Sequence, residues 1–370
     1  MLTSANAHLL PASSLVETLT VERYSASRKE EWDSFVRAAK NATFLFCRDY
    51  MDYHMDRFSD CSLMILRENK LVAVLPANLA LDGTTLVSHE GLTYGGLVLQ
   101  RPATLWNVMA CFHAGLRYLH EHRITQLLYK RIPNFYNTQP DGDVEYVLFL
   151  LDSRLCRCDC TVVVSQDDRL RLRKGRKSEI TKGRRLGVNV VQEMTFASFW
   201  EQVLIPRLAG HHGIKPVHTV EEITLLALRF PENIKQFSAY SHGEIVAGTT
   251  IYETDNVAHA QYIAVTDKGR KIGALDYLIG WLIDERYKDK RYFDFGSCNE
   301  NQGRRLNHGL LSWKEGFGGR SYVHDFYEIA TESYSKLEPV LKARSSFVSN
   351  SAEYPHSTIS SSTHGSSPTV

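Results

Sequence analysis

The sequence predicts an α/β (α+β) chain of two domains lying side by side, each built on a mixed sheet. Three observations carry this. Short apolar runs of strand length alternate with longer stretches in which apolar residues recur every three or four positions. The chain has 370 residues, room for two domains of ordinary size. Hydrophobic residues make up 43% of it and aromatics 11%, which suffices for sizeable cores.

Composition narrows the function classes. Lys and Arg number 43 against 42 Asp and Glu, so the net charge of +1 draws the chain neither to nucleic acid nor to a membrane. Any such preference must come from local patches. No apolar run approaches the roughly 18–20 residues needed to span a bilayer. The first twenty residues lack a charged segment ahead of an apolar core, and seven cysteines without framework spacing favour a reducing compartment. A soluble cytoplasmic protein is expected.

Residues 1–20, rich in Ser, Thr and Ala, read as a flexible arm, and the first domain as residues 21–155. Ser27 is placed to cap a helix whose apolar face is Trp32, Phe35 and Val36. Two apolar runs, 62–66 and 71–75, flank Glu68-Asn69-Lys70 as a hairpin. Strands follow at 84–88 and 97–99, then a helix from Leu105 to His122 and a strand over 124–129. The apolar run Val144–Leu151 reads as the strand that closes this domain.

The second domain, residues 156–335, repeats the mixed order. A basic helix over 170–186 leads to a strand at 188–192. Helices at 196–208 and 220–230 precede strands at 235–240 and 245–252 around His242-Gly243. The chain then runs from the strand Gln261–Thr266 into the basic turn Asp267–Gly273. A helix follows with apolar Leu275, Leu278, Ile279 and Leu282, then the strand 291–296, a polar loop and residues 308–319. Residues 345–370 are Ser/Thr-rich without apolar periodicity and read as a disordered tail.

A strand entering a basic turn and a helix N-terminus is an anion site, because free backbone N–H groups and the helix dipole both favour negative charge. Lys268-Gly269-Arg270-Lys271-Ile272-Gly273 resembles the Arg/Gln-x-x-Gly-x-Gly/Ala turn of the GNAT acyltransferases. Lys stands here for the first basic residue and Lys271 for the first glycine. Tyr292-Phe-Asp-Phe-Gly296 followed by Gly309-Leu-Leu-Ser-Trp-Lys-Glu-Gly-Phe-Gly-Gly319 resembles the Fem-type branch, the peptidoglycan aminoacyltransferases and their relatives in surface-polysaccharide gene clusters. That resemblance is strongest from about Leu170 to Phe326. It implies two GNAT-like domains with a cleft between them, and transfer of an acyl group to a primary amine in cell-envelope construction.

On this resemblance Lys268, Gly269, Arg270, Lys271 and Gly273 would hold acyl-CoA as co-substrate. The acceptor would be an amino sugar, nucleotide-linked or on a glycolipid. Lys314 matches the lysine of the family's aromatic-Lys motif, which would stabilise the oxyanion, with Trp313 beside it; a surface lysine is the alternative. Glu300, His308 or water would serve as base. Aminoacyl-tRNA is the other donor the Fem branch implies, disfavoured here because no added helical arm is evident. A non-catalytic sugar-nucleotide-binding protein with this fold is the rival class.

Other candidates come from residue chemistry. Ser88–Gly96 is polar and glycine-rich, so His89, Thr93, Tyr94 and Gly95 either meet the acceptor or make a plain turn. Arg173 and Lys177 lie in the densest run of positive charge, a phosphate-binding face or a solvated one. Asp294, between aromatics, is structural or catalytic. Cys156, Cys158 and Cys160 alternate along one strand face; with no fourth ligand at a usual spacing, buried thiols are expected and no metal. The loop 211–218, with three histidines, either lines an acceptor pocket or connects helices at the surface.

Overall fold

The computed structural model describes residues 19–213 and 215–343; the tail at 345–370 and most of the expected arm lie outside them. Leu19 and Thr20, read as the end of that arm, open a strand. In the N-terminal half the strands are β1 (Leu19–Arg23), β2 (Ser59–Asp60), β3 (Leu63–Arg67), β4 (Lys70–Leu75), β5 (Asn78–Leu79), β6 (Thr85–Val87), β7 (Val98–Leu99) and β8 (Gln126–Lys130). The C-terminal half adds β9 (Arg154–Ser165), β10 (Asn189–Glu193), β11 (Ile234–Ser241), β12 (Glu244–Glu253), β13 (Val257–Val265) and β14 (Tyr292–Ser297). A short ribbon, β15 (Asn299–Glu300) and β16 (Arg305–Leu306), precedes the long last strand β17 (Arg320–Ala330).

Eleven strands form one mixed sheet in the order β10-β11-β12-β13-β14-β9-β17-β8-β6-β5-β2, and β1-β3-β4-β7 form a second sheet. Strand β17 lies between β9 and β8, so the last long strand joins both halves of the chain. Two neighbours in the large sheet run parallel, β13 with β14 and β6 with β8. Pairing of β13 with β14 stops at His259↔Asp294, after which the two strands part. Backbone edges that part in this way leave N–H and C=O groups open to a ligand.

Three apolar cores hold these layers. One packs the helix Leu105–Glu121 on the N-terminal strands and takes in Ile329 of β17. Another packs the helix Ala274–Trp281 on β11–β14. The third crosses between the halves, setting Trp32, Phe46 and Tyr136 in one apolar cluster with Phe199, Trp200 and Tyr252.

Local expectations mostly follow their physical cause. Glu68 and Asn69 turn the β3–β4 hairpin with φ of 49° and 63°, the paired left-handed geometry that suits a twisted two-residue loop. The run at 144–151 is not a strand: Gly142–Leu150 is a helix that buries Val144, Val147 and Leu148 and leaves Phe149 exposed. An apolar run this short carries no period of its own, and packing against the helix Leu105–Glu121 decides it. Ser27 makes no helix cap either; its hydroxyl pairs with Ser25, and the helix Lys29–Ala38 starts after a short 3₁₀ turn.

Candidate active site

A polar cleft of about 460 Å³ opens where β13 and β14 part. Leu92, Thr93 and Tyr94 line it together with Pro133, Phe135 and Tyr136, as does β14 through Asp294, Phe295, Gly296 and Ser297. Strands β9 and β17 contribute alternate residues to its floor, because only every second side chain of a strand shares a face.

Asp294 is the centre of its hydrogen bonding. Oδ1 accepts from Thr161 Oγ1 at 2.7 Å and from the Gly296 N–H at 2.8 Å. Oδ2 accepts from Tyr136 Oη at 2.7 Å and lies 2.8 Å from His259 Nδ1. Burial alone would push this carboxyl up, but the His259 charge and the hydrogen bonds of His259, Gly296 and Thr161 hold it down at about 2. Asp294 therefore stays a carboxylate at neutral pH, and Nδ1 of His259 must be the donor to it. Nε2 of His259 lies 3.1 Å from Gln261 Oε1. With both ring nitrogens donating, the ring is an imidazolium; with Nε2 bare and the Gln261 amide turned over, it is a base. The pair can thus hold a proton at Nε2 while the carboxylate fixes the tautomer.

Lys314 is only 3% exposed, and its Nζ donates to the carbonyls of Gly296 at 2.9 Å and Ser297 at 2.6 Å. It stands behind the cleft wall, not in it. Burial pushes it down to about 8, so it remains an ammonium at pH 7. Trp313 backs the same wall through its ring contacts with Phe295 and Phe317. Glu300 and His308 are exposed outside the cleft lining, Glu300 meeting Asn307 and Arg305.

Of the residues at 88–96, Thr93 and Tyr94 line the cleft, with Tyr94 Oη bonded to Thr43 Oγ1 at 3.1 Å. His89 is buried behind them against His54. Gly95 is required by its own loop: a Cβ there would lie 1.6 Å from the Ser88 carbonyl.

The basic turn is a short helix, Asp267–Lys271, capped by Thr266. Lys268 is paired with Glu244, while Arg270 and Lys271 are exposed with no acidic partner among the described residues. A Cβ on Gly269 would meet the Val246 carbonyl and one on Gly273 the Glu179 carbonyl, so both glycines admit close packing. In the basic helix, Arg173 bonds Glu315 and Ser312 and Arg176 bonds Asp276, whereas Lys174, Lys177, Arg184 and Arg185 are exposed and have no acidic partner among the described residues.

Cys156, Cys158 and Cys160 share one face of β9 and are half-buried; among the described residues no group of three suitable side chains could hold a metal ion. His218 is buried, its Nδ1 on Tyr262 Oη, and does not line the cleft. Sequence reasoning missed His259, Tyr136 and Thr161. A titratable ring two places before Gln261 in an apolar strand was the available signal.

No family profile matches the chain, and no curated protein is similar to it. Among solved structures, FemX is similar with a TM-score of 0.59 at 10% identity, over 88% of this chain and 100% of that one. A domain from Agrobacterium fabrum, described as the C-terminal domain (DUF2156) of a lysylphosphatidylglycerol synthetase, is similar with a TM-score of 0.52 at 12% identity, over 86% and 96%. At such identities the likeness concerns the fold. The chain shares the fold of FemX, in keeping with the resemblance of its C-terminal motif.

Proposed function

We propose that this protein is a transferase that moves an acyl or aminoacyl group from an activated carrier to an amine. The observation that carries the reading is the His259–Asp294 pair, set where two parallel strands part at the floor of a polar cleft. The amine nitrogen attacks the donor's carbonyl carbon, and its proton passes to His259 Nε2. Asp294 stabilises the imidazolium through Nδ1 without taking the proton itself. Collapse of the tetrahedral intermediate breaks the bond to the carrier, and the carrier's sulfur or oxygen leaves with that proton.

Lys314 acts in this scheme by holding Gly296 and Ser297 in place, and so the wall against which the donor lies. Acyl-CoA as donor is supported by the two free cations of the turn, Arg270 and Lys271. Aminoacyl-tRNA as donor is supported by the exposed face Lys174, Lys177, Arg184 and Arg185 and by the likeness to FemX. An amino sugar of a cell-envelope precursor is the proposed acceptor.

The test is mass spectrometry of purified protein with acetyl-CoA or charged tRNA and a panel of amines, beside His259→Asn. A product that forms with the wild type and not with the variant supports the reading. Equal product from both sinks the assignment of His259 as base.

A further inference from the structure

We propose that the floor of the cleft, on β8, β17 and β9, is a subsite for an anionic group of the acceptor, a carboxylate or a phosphate; this rests on the transferase reading above. The register places the residues. Phe326 of β17 pairs with Lys130 of β8 on one side and with Arg157 of β9 on the other. His324 is two residues before Phe326, on the same face, and opposite Asp159. All of these side chains line the cleft. Two cations thus flank one aromatic ring in a single row, with the Arg157 guanidinium 4.5 Å from the Phe326 centroid.

The donors of this row are only partly used. Lys130 is 8% exposed and gives two hydrogen bonds, to the carbonyls of His89 (2.9 Å) and Leu92. An ammonium has three N–H groups, and no carboxylate among the described residues pairs with this one. Burial pushes it down to about 7, a cost that an arriving anion offsets. Arg157 spends Nε and Nη2 on Asp159, at 2.9 and 2.6 Å, and Nη1 has no partner among the described residues. His324 is 8% exposed, and its Nε2 is buried without a hydrogen-bond partner.

Within the row Arg157 faces Asp159, and elsewhere in the cleft Asp294 faces His259. Lys130 is the surplus. An anion seated over Phe326 takes the third N–H of Lys130, Nη1 of Arg157 and Nε2–H of His324. A buried ammonium with no carboxylate partner among the described residues, set in one row with a guanidinium, an imidazole and an aromatic ring, suits a carboxylate or phosphate. The acceptor is then an amine that also carries a negative group, held at the end of the cleft away from His259.

Thermal melting of the full chain tests this with inorganic phosphate and with acetate, against sodium chloride at equal ionic strength. At saturating concentration one of the two anions is expected to raise Tm by about 2 °C or more in the wild type and equally in His259→Asn. The shift should vanish in Arg157→Gln and in His324→Phe, neither of which holds a loop in place. A response to phosphate alone assigns a phosphorylated acceptor, and a response to acetate alone a carboxylate. No shift in the wild type with either anion, or an undiminished shift in both variants, overturns the subsite. A transferase reading that fails on its own is recognised separately, because the anion shift does not need His259.

Discussion

Tyr136 donates its hydroxyl to Asp294 Oδ2 across 2.7 Å, and this bond fastens the part of the chain before β9 to the parting strands after it. The carboxylate it reaches is buried and accepts three further hydrogen bonds, from Thr161, Gly296 and His259. Four donors aimed at one charged group fix where the His259 ring stands.

Replacing Asp294 with Asn removes the charge that favours the imidazolium and offers an amide that can hold the wrong tautomer. Turnover by Asp294→Asn should fall by up to about 10⁴, the size of loss seen when a triad carboxylate becomes an amide. Substrate affinity should change little, because Asp294 is proposed to act through His259 and on the transition state. Tyr136→Phe keeps the carboxylate and removes one of its four donors, so it should cost about 1.5–3 kcal/mol of stability and a smaller share of turnover. Steady-state kinetics and urea melts of both variants check this; a full kcat in Asp294→Asn is the contrary result.

Acid should weaken the protein in two steps. His89 and His218 are buried, and burial lowers them from 6.5 to about 3 and about 4. A group whose folded pKa is depressed lends stability above its unfolded value and loses it as pH falls. These two histidines should therefore cost on the order of 1 kcal/mol each between pH 6.5 and 5.5. Asp294, held at about 2 in the folded state, adds its loss only below about pH 4. Urea melts at pH 7, 6 and 5 should show the first step, flatter in His218→Gln; a stability constant from pH 7 to 5 contradicts it.

Lys314 and Lys130 do matching work, one behind the cleft wall and one on its floor. Lys314 ties the carbonyls of Gly296 and Ser297, and Lys130 those of His89 and Leu92. Each ammonium closes a loop that bears on the cleft. Reading Lys314 from sequence as an oxyanion donor predicts near-normal folding for Lys314→Met. Its burial predicts otherwise: two carbonyls lose charge-assisted bonds, so the variant should lose about 2–4 kcal/mol. Turnover should fall as the wall shifts. Equilibrium unfolding separates the two expectations, since an oxyanion donor in the cleft leaves Tm nearly unchanged.

Much of the fold was legible because its determinants are local. The β3–β4 hairpin is set by Glu68 and Asn69, and the helix Leu105–Glu121 by its apolar period and a Thr104 capping box. The run at 144–151 was not, because burial of Val144, Val147 and Leu148 depends on a helix distant in sequence. The site was legible from sequence in Thr93, Tyr94 and Asp294 and in its support, Trp313 and Lys314, which sit in short recognisable segments. His259 on β13 and the floor residues of β9 and β17 are brought to Asp294 by strand pairings that no local pattern announces. On β9 the alternating cysteines drew attention to one face, while Arg157, Asp159 and Thr161 on the other face line the cleft.

The basic turn separates the donors. Lys268 is engaged by Glu244, so reversing it mainly sets two acids against each other. Arg270 and Lys271 are exposed and without an acidic partner among the described residues, which leaves them free for the phosphates of coenzyme A. Exposed cations contribute little to folding, so Arg270→Glu with Lys271→Glu should leave Tm within about 1–2 °C of the wild type. If acyl-CoA is the donor, coenzyme A affinity should fall by about tenfold or more, and its dependence on salt should flatten as screening has fewer charges to act on. Calorimetric titration of coenzyme A at low and physiological ionic strength measures both. Unaltered affinity in the double variant removes the turn from the donor site and shifts the weight to a carrier bound on the face of Lys174, Lys177, Arg184 and Arg185.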